Sequence, residues 1–327
     1  MKKQINWGIL GAGRIADKFC TALVSTPRAC LYAVASRDMK KGKAFANKFN
    51  ASVYYDNYLS LVNDPNIDVI YIATPHVFHF EQAMLCLQHN KSVLCEKPMT
   101  MSFSQTQELI KLAQKNNLFL MEGMWTACMP FIQKIKEIIA KDIIGSVQYV
   151  QADFGFSTPF DADSRLFNKA LGGGSILDVG VYPISLATLL LGKPSSIKSL
   201  SKLAHNGIDE YANIILHYTN DATAQLFSAV TVQTPIEANI IGTKGKIKVD
   251  SPWYMATDFS VILHDGTFKS YSIPHPTNGF EYEIMEVMHC LENNLTESAL
   301  VPHQQTLIVS QVMDELLKQA GVDYTIP

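Results

Sequence analysis

The sequence predicts an α/β fold, with an N-terminal doubly wound parallel sheet and a C-terminal α+β domain that carries a large, mostly antiparallel open sheet. Strand-like apolar runs alternate with helical segments through the first third of the chain. After Gly145, strand-like runs follow one another without helices between them, and turn signals separate neighbouring runs. The alternation of strand-like and helical segments ends near Glu122, which predicts two domains, 1–122 and 123–327.

The stretch 5–38 has the order of a dinucleotide-binding βαβ unit, typical of a Rossmann domain. After the apolar run Ile5–Leu10, Gly11 allows a sharp turn, and Gly13 lets a pyrophosphate approach the backbone. Ala16 is small enough for the following helix to lie close to the strand, and the helix N-terminus offers free N–H groups to phosphates. The alternative is a glycine turn that only packs a helix on a sheet. The cofactor-binding residues predicted here are Gly11, Ala12, Gly13, Arg14 and Ile15.

The end of the second strand predicts which dinucleotide is bound. An enzyme that prefers NAD usually places Asp or Glu there, to bind the ribose 2′-hydroxyl. Ser36 and Arg37 occupy this position, and they suit a 2′-phosphate through a hydrogen bond and a positive charge. We therefore expect NADP, with NAD as the less favoured alternative. Asp38 follows directly, so a register shift of one residue would reverse the choice.

Two further strand ends carry residues that suit a ligand site. In a doubly wound sheet the ligand lies beyond the carboxyl ends of the strands. One strand ends near His76 and His79, and the next ends at Lys97, which the following proline holds at the rim. The alternatives are a surface lysine and histidines that cap a helix or fill the core. The cofactor-binding residues predicted at these two ends are Thr74, Pro75, His76, His79, Glu96 and Lys97.

Composition and charge narrow the class of protein. At 327 residues the chain is long for one hydrophobic core, and its net charge of −3 argues against a nucleic-acid partner. No apolar run approaches the ~18 residues of a transmembrane helix, so no membrane partner is expected. The six cysteines are scattered without a C-x-x-C pair, which indicates buried thiols and no metal site. The N-terminal apolar run leads straight into the glycine turn, which favours a strand over a signal peptide and hence a cytoplasmic protein.

A second chemical site is predicted where a triple glycine precedes an apolar helix, in the stretch 171–183. This helix would place Asp178 and Tyr182 at positions i and i+4, on one face. A carboxylate and a phenol that project together are able to bind and protonate a substrate oxygen. The phenol has an ordinary pKa of about 10, and a lysine cation such as Lys97 would lower it. The alternative is a buried Asp at a turn and a Tyr of the core.

Together these motifs resemble the glucose–fructose oxidoreductase/inositol dehydrogenase (Gfo/Idh/MocA) family over nearly the whole chain. The resemblance rests on the glycine fingerprint, on Thr74-Pro75 with His79, on Glu96-Lys97-Pro98, and on the segment from Asp178 to Tyr182. Within the family the chain is most similar to the dimeric dihydrodiol dehydrogenases and the NADP-dependent D-xylose dehydrogenases. Four further stretches carry that similarity: 121–126, 164–167, 172–183 and 250–254.

The resemblance implies hydride transfer between a nicotinamide cofactor and a hydroxyl-bearing carbon of a sugar or a cyclic vicinal diol. Tyr182 matches the general acid/base, Lys97 the residue that tunes it, and Asp178 the residue that orients the substrate. The family's open C-terminal sheet often mediates dimerisation, so we expect a homodimer and a small-molecule substrate as the partners. The implied substrate-binding residues are Trp125, Phe154, Asp178, Tyr182 and Phe280.

Two other functions remain open alternatives. A catalytically silent member of the same fold would sense a dinucleotide and regulate a protein partner, but it would not need Lys97, Asp178 and Tyr182 together. An enzyme with a tightly held cofactor would recycle that cofactor between two substrates. Cofactor that survives gel filtration would indicate this last alternative.

Overall fold

The structure is a computed structural model, and it describes residues 4–324. The chain divides into two compact units, each built from two segments: Met1–Cys128 with His275–Thr306, and Met129–Pro274 with Leu307–Pro327. The division suggested by the sequence, 1–122 and 123–327, differs from this one. Helix α6 (Trp125–Cys128) packs against helix α9 (Glu281–Glu292), and both belong to the first unit.

The first unit contains a six-stranded sheet in the order β3-β2-β1-β4-β5-β6, and every neighbouring pair is parallel. Its central strands β4 and β5 are buried throughout, as expected when helices cover both faces of a sheet. The predicted doubly wound sheet is therefore confirmed. The strands are β1 Ile5–Leu10, β2 Ala29–Ala35, β3 Val53–Tyr55, β4 Val69–Ile72, β5 Ser92–Glu96 and β6 Leu120–Gly123.

Three helices of the first unit begin where a short polar side chain caps a free N–H group. Asp38 accepts a hydrogen bond from the Lys41 N–H at the start of α2, and Ser102 accepts one from the Gln105 N–H at the start of α5. Besides α6 and α9, the helices are α1 Arg14–Leu23, α2 Met39–Lys48, α3 Tyr58–Asn63, α4 His79–Gln88 and α5 Phe103–Lys115. The last helix, α10 (His303–Ala320), includes residues of both units.

The second unit contains an eight-stranded sheet in the order β14-β13-β12-β11-β7-β10-β9-β8. Only β7 and β10 pair in parallel, so the predicted, mostly antiparallel sheet is confirmed. The strands are β7 Val147–Gly155, β8 Ser196–Leu203, β9 Asp209–His217, β10 Thr223–Ala229, β11 Ala238–Gly242, β12 Gly245–Val249, β13 Asp258–Leu263 and β14 Phe268–Ser272. Helices α7 (Pro130–Ala140) and α8 (Val181–Leu191) complete this unit, and α8 packs on β7 and β10.

The helix predicted after the triple glycine is not a single α-helix. A wider π-helical turn, Ile176–Gly180, precedes α8. Pro183 lacks the N–H that an α-helix would direct at the carbonyl of Val179, and a local widening of this kind relieves the mismatch. The expectation that no apolar run approaches the length of a transmembrane helix was wrong, because the stretch Lys169–Leu191 is apolar and long enough. However, 83% of its most apolar window is buried inside the protein, as in the core helix of a globular protein.

Candidate active site

The glycine turn after β1 fits a dinucleotide. Gly11 has a φ of +101°, and a Cβ there would lie 2.9 Å from the Thr74 Cγ2. Gly13 differs, because its φ is −94° and the nearest atom to a Cβ would be the Ala73 carbonyl oxygen at 3.7 Å. The protein itself therefore leaves room for a side chain at Gly13, which is the space that the phosphates of a dinucleotide would need at the N-terminus of α1. Ala12 lies in the same turn, and Arg14 and Ile15 are the first two residues of α1.

Ser36 and Arg37 follow β2 directly, as expected. Ser36 is buried, and its Oγ accepts a hydrogen bond from the Asp38 N–H at 3.2 Å. Arg37 is exposed, and its guanidinium carbon lies 5.3 Å from the centre of the Phe78 ring. The Asp38 Oδ1 accepts the Lys41 N–H at 3.0 Å, so this carboxylate already has a partner within the protein. Both side chains are exposed, but Asp38 caps α2, whereas Arg37 contacts the face of Phe78.

His79 links the ends of β4 and β5. Its Nδ1 lies 2.9 Å from the Pro98 carbonyl oxygen, and its Nε2 lies 2.8 Å from the Thr74 carbonyl oxygen. The ring is buried, and His76, in the short 3-10 turn just before it, is buried as well. The Lys97–Pro98 peptide bond is cis. The structure therefore brings the two predicted strand ends together through a histidine ring.

A buried carboxylate supports the backbone at Lys97. Glu96, the last residue of β5, accepts hydrogen bonds from the Tyr71 hydroxyl and, at 3.1 Å, from the Lys97 N–H. Burial raises the pKa of Tyr71 well above its ordinary value, and the charge of Glu96 raises it further. Tyr71 therefore keeps its proton and acts as a donor to Glu96.

Two more buried acids lie in the same unit. Burial raises the pKa of Glu122 to about 7, although the hydrogen bond from the Met99 N–H (2.9 Å) and the charge of Lys97 lower it. Burial, and then the charge of Glu96, raise the pKa of Glu283 well above its ordinary value. Within the described part of the chain, neither carboxyl oxygen of Glu283 has a hydrogen-bond partner. In residues 4–324, no group of three or more His, Cys, Asp or Glu side chains is arranged to hold a metal ion.

The four predicted aromatic residues form two groups, one in each unit. In the first unit, Trp125 and Phe280 stack with ring centres 4.4 Å apart and nearly parallel planes. In the second unit, the Phe154 ring lies 5.3 Å from the Tyr182 ring, and both contact Tyr254, which stacks on Phe154 at 4.3 Å. Each group presents flat apolar surface.

Asp178 forms an ion pair within the second unit. The Arg165 Nη2 donates a hydrogen bond to the Asp178 Oδ1 at 2.8 Å. Asp178 lies in the π-helical turn, and Tyr182 lies in the first turn of α8 with 8% of its surface exposed. Two of the three predicted catalytic residues, Asp178 and Tyr182, therefore belong to one continuous helical segment, although its first turn is π-helical and not α-helical.

Sequence reasoning assigned no role to five residues that contact the site residues. Arg165, Tyr254 and Glu122 lie in stretches that carried the family resemblance, but their contacts are tertiary. Tyr71 and Glu283 lie inside buried elements. Glu283 precedes Val287 by four residues, so a charged residue on the apolar face of α9 was the available signal. These five residues are Tyr71, Glu122, Arg165, Tyr254 and Glu283.

Replacement of Glu122 by Gln tests the raised pKa of this carboxyl. The folded protein binds its proton more tightly than the unfolded chain, so the stability that it contributes is present below pH 4.5 and is lost as pH rises through about 7. We expect Glu122→Gln to remove about 3 kcal/mol of the fall in unfolding free energy between pH 5 and pH 8. Urea denaturation at both pH values measures it. Glu137→Gln is the control, because the pKa of Glu137, lowered to about 2 by Lys134 and Lys141, lies outside this range; equal slopes in wild type and Glu122→Gln would contradict the prediction.

Family models match both parts of the chain. The model of the GFO/IDH/MocA oxidoreductase family, NAD-binding Rossmann fold, matches residues 5–124, and the model of the GFO/IDH/MocA C-terminal domain matches residues 132–248. Two relatives are named trans-1,2-dihydrobenzene-1,2-diol dehydrogenase. The protein from Xenopus tropicalis is 36% identical over 97% of this chain and 98% of its own, and the protein from Homo sapiens is 30% identical over 98% of both.

Solved structures show the same fold. An aldose–aldose oxidoreductase from Caulobacter crescentus, complexed with glycerol, superposes with a TM-score of 0.89 over 98% of both chains at 22% identity. A 3-ketoreductase from Actinomadura kijaniata, in complex with NADP and TDP-benzene, superposes with a TM-score of 0.86 over 97% of this chain and 98% of its own at 23% identity. From the matched domains and the full-length relatives, the chain belongs to the GFO/IDH/MocA family of oxidoreductases, with an NAD-binding Rossmann fold.

Proposed function

We propose that the protein is an NADP-dependent dehydrogenase that acts on a hydroxyl-bearing carbon of a small cyclic vicinal diol or a sugar. The observation that carries this proposal is the arrangement of Asp178 and Tyr182 on one segment, with Asp178 paired to Arg165 and Tyr182 bordered by Phe154 and Tyr254. The relatives that align over nearly the full chain are named for a diol substrate, which supports the same reaction class.

In the oxidation direction the Tyr182 phenolate takes the proton of the substrate hydroxyl. The glycine turn after β1, with Ser36 and Arg37, would hold NADP, and its nicotinamide would supply the hydride acceptor for the carbon that bears this hydroxyl. The family resemblance implies that Lys97 tunes the phenol, and we propose that role for it. Asp178, oriented by Arg165, accepts a hydrogen bond from the second hydroxyl. A vicinal diol therefore satisfies both side chains with two adjacent oxygens.

The aromatic residues favour a flat, largely apolar ring as the substrate. In the second unit, Phe154 stacks on Tyr254, and both rings lie beside Tyr182. Aromatic faces stabilise flat apolar rings by stacking, whereas a fully hydroxylated sugar would need more hydrogen-bonding partners. We therefore propose a cyclic dihydrodiol ahead of a pentose or hexose.

Removal of the Tyr182 hydroxyl tests the proposed acid/base. We expect Tyr182→Phe to lower kcat by about 100-fold or more, because proton transfer loses its partner, while NADP binding is unchanged. Absorbance of the reduced nicotinamide with dihydrodiols, inositols, pentoses and hexoses measures turnover. Tyr218→Phe is the matched control, since Tyr218 is also buried and its hydroxyl has no partner among the described residues. A Tyr182→Phe enzyme with normal kcat would refute the assignment, and NADP binding without turnover by the wild type would favour the silent sensor.

Replacement of Arg37 tests the choice of cofactor. We propose that Arg37 and Ser36 bind the 2′-phosphate, because Arg37 is exposed while Asp38 caps α2. We expect Arg37→Ala to raise the KM for NADP about 10- to 100-fold, the loss of one charge-assisted hydrogen bond, and to leave the KM for NAD unchanged. Steady-state kinetics with both cofactors measures this. The control is Arg28→Ala, which lies just before β2, at the opposite edge of the sheet; equal losses with both cofactors would contradict the prediction.

We also propose that the protein is a homodimer through the exposed face of the second sheet. Leu200 is 79% exposed on β8, and Ile215 is 53% exposed on the neighbouring β9. Buried and exposed residues alternate along β9, and Ala212 and Ile214 are buried on the opposite face from Ile215. Large aliphatic side chains on an exposed sheet face are typical of a surface that another chain covers.

A charge on this face tests the dimer. We expect Leu200→Asp to convert the dimer to a monomer, because burial of an unpaired carboxylate at an interface is costly. Sedimentation equilibrium measures the molecular mass. Val24→Asp serves as the control, since Val24 is an exposed aliphatic residue of the first unit. A monomeric wild type, or a Leu200→Asp variant that remains dimeric, would argue against this interface.

A further inference from the structure

A fully buried carboxylate lies beside the segment that carries Asp178 and Tyr182. Asp209, at the start of β9, accepts hydrogen bonds on its Oδ2 from the Ser175 hydroxyl and from the Ile176 N–H, both at 2.7 Å. The Ser175 Oγ also lies 2.9 Å from the Oγ of Ser228 on β10. The Asp209 Oδ1 has no hydrogen-bond partner in residues 4–324.

The chain approaches this carboxylate closely. Gly174 has a φ of +132°, and a Cβ at this position would overlap the Asp209 Oδ1. The Tyr324 hydroxyl donates a hydrogen bond to the Gly173 carbonyl, which holds the preceding residue in place. The triple glycine therefore lets the backbone lie directly against the Asp209 side chain. The carboxylate accepts a hydrogen bond from the first N–H of the π-helical turn, that of Ile176.

Both ends of the π-helical turn contact this cluster. Ile176 begins the turn and donates its N–H to Asp209. Gly180 ends the turn, and a Cβ there would lie 3.1 Å from the Ser228 Oγ. Asp178 lies between these two points, and Tyr182 follows two residues after the second. The contacts with Asp209 and Ser228 therefore hold both ends of the turn, from which the Asp178 and Tyr182 side chains project.

We propose that Asp209 is a positioning residue for the reaction, which as a carboxylate holds the π-helical turn so that Asp178 and Tyr182 project in their working geometry. This inference rests on the proposed function of those two residues. Asp209 itself contacts neither substrate nor cofactor in this proposal, and it acts through Ser175 and Ile176. Loss of the Asp209 carboxylate would leave the Ser175 hydroxyl and the Ile176 N–H without this acceptor.

The same contacts make the positioning dependent on pH. Burial raises the pKa of Asp209 to about 6, against the hydrogen bonds from Ser175 and Ile176, which lower it. The protonated form carries an O–H that must donate, so it is a weaker acceptor for the segment. We therefore expect the positioning to weaken as pH falls through about 6. The titratable and charged groups on the elements nearby are Tyr324, the Lys202–Glu210 pair and the Arg165–Asp178 pair.

Kinetics of Asp209→Asn test the proposal. The variant keeps the shape of the side chain but cannot ionise, so we expect kcat about 100-fold lower, the loss that misplaced catalytic groups cause. The affinity for NADP should not change, and the fall in wild-type kcat/KM near pH 6 should be absent. Asp64→Asn is the control, because Asp64 is a buried carboxylate of the first unit and its pKa is lowered. Wild-type kcat in Asp209→Asn, or a retained acid limb near pH 6, would overturn the proposal.

Hydrogen–deuterium exchange separates this inference from the proposed function. In Asp209→Asn we expect the amides of Ile176–Gly180 to lose protection at pH 8, while those of β10 keep it. Unchanged protection of the turn would refute the positioning role alone. Lost protection, with a wild type that turns over no alcohol, would refute the dehydrogenase function alone. If Asp209→Asn does not fold, Ser175→Ala is the second variant, because it removes one hydrogen-bond donor to the carboxylate. We expect a smaller loss of protection of the same amides in this variant. Full protection in Ser175→Ala would count against the proposal.

Discussion

Parallel strands end at one edge of a sheet, and this constraint organises the nucleotide-binding unit. Because β1, β2, β4 and β5 are neighbours in a parallel sheet, the glycine turn, Arg37, Thr74 and Lys97 all follow strands at the same edge. The His79 ring draws two of these ends together through the carbonyls of Thr74 and Pro98. The order of the parallel strands brings these strand ends together, and the side chains at the ends then determine which dinucleotide fits.

Buried carboxyl groups are the second constraint, and both units contain them. Removal of a charge from water is costly unless hydrogen bonds replace the solvent. Glu96 and Glu122 receive backbone N–H groups near Lys97, and Asp209 receives one at the start of the π-helical turn. In each case the acid orients backbone next to a residue that we assign to the reaction. Glu283, whose carboxyl oxygens lack a partner among the described residues, is instead held in its neutral form by burial.

Local patterns predicted most of the fold, since strands and helices leave periodic signatures in the chain. The glycine turn, the strand ends and the antiparallel second sheet lie where the sequence placed them. The single α-helix expected over Asp178 and Tyr182 was wrong, because Pro183 breaks the regular ladder and a π-helical turn takes up the difference. The sequence also did not predict that residues 275–306 belong to the first unit, because the packing of α9 on α6 joins segments that are distant in sequence.

The sequence by itself determined the class of fold, the nicotinamide cofactor and the family, because these depend on short motifs whose residues are adjacent in the chain. Only the tertiary structure decided that Arg165 pairs with Asp178 and that Asp209 accepts the Ile176 N–H. These contacts join residues whose spacing follows no period, and whether a polar side chain is buried beside a donor depends on packing that a linear pattern does not record.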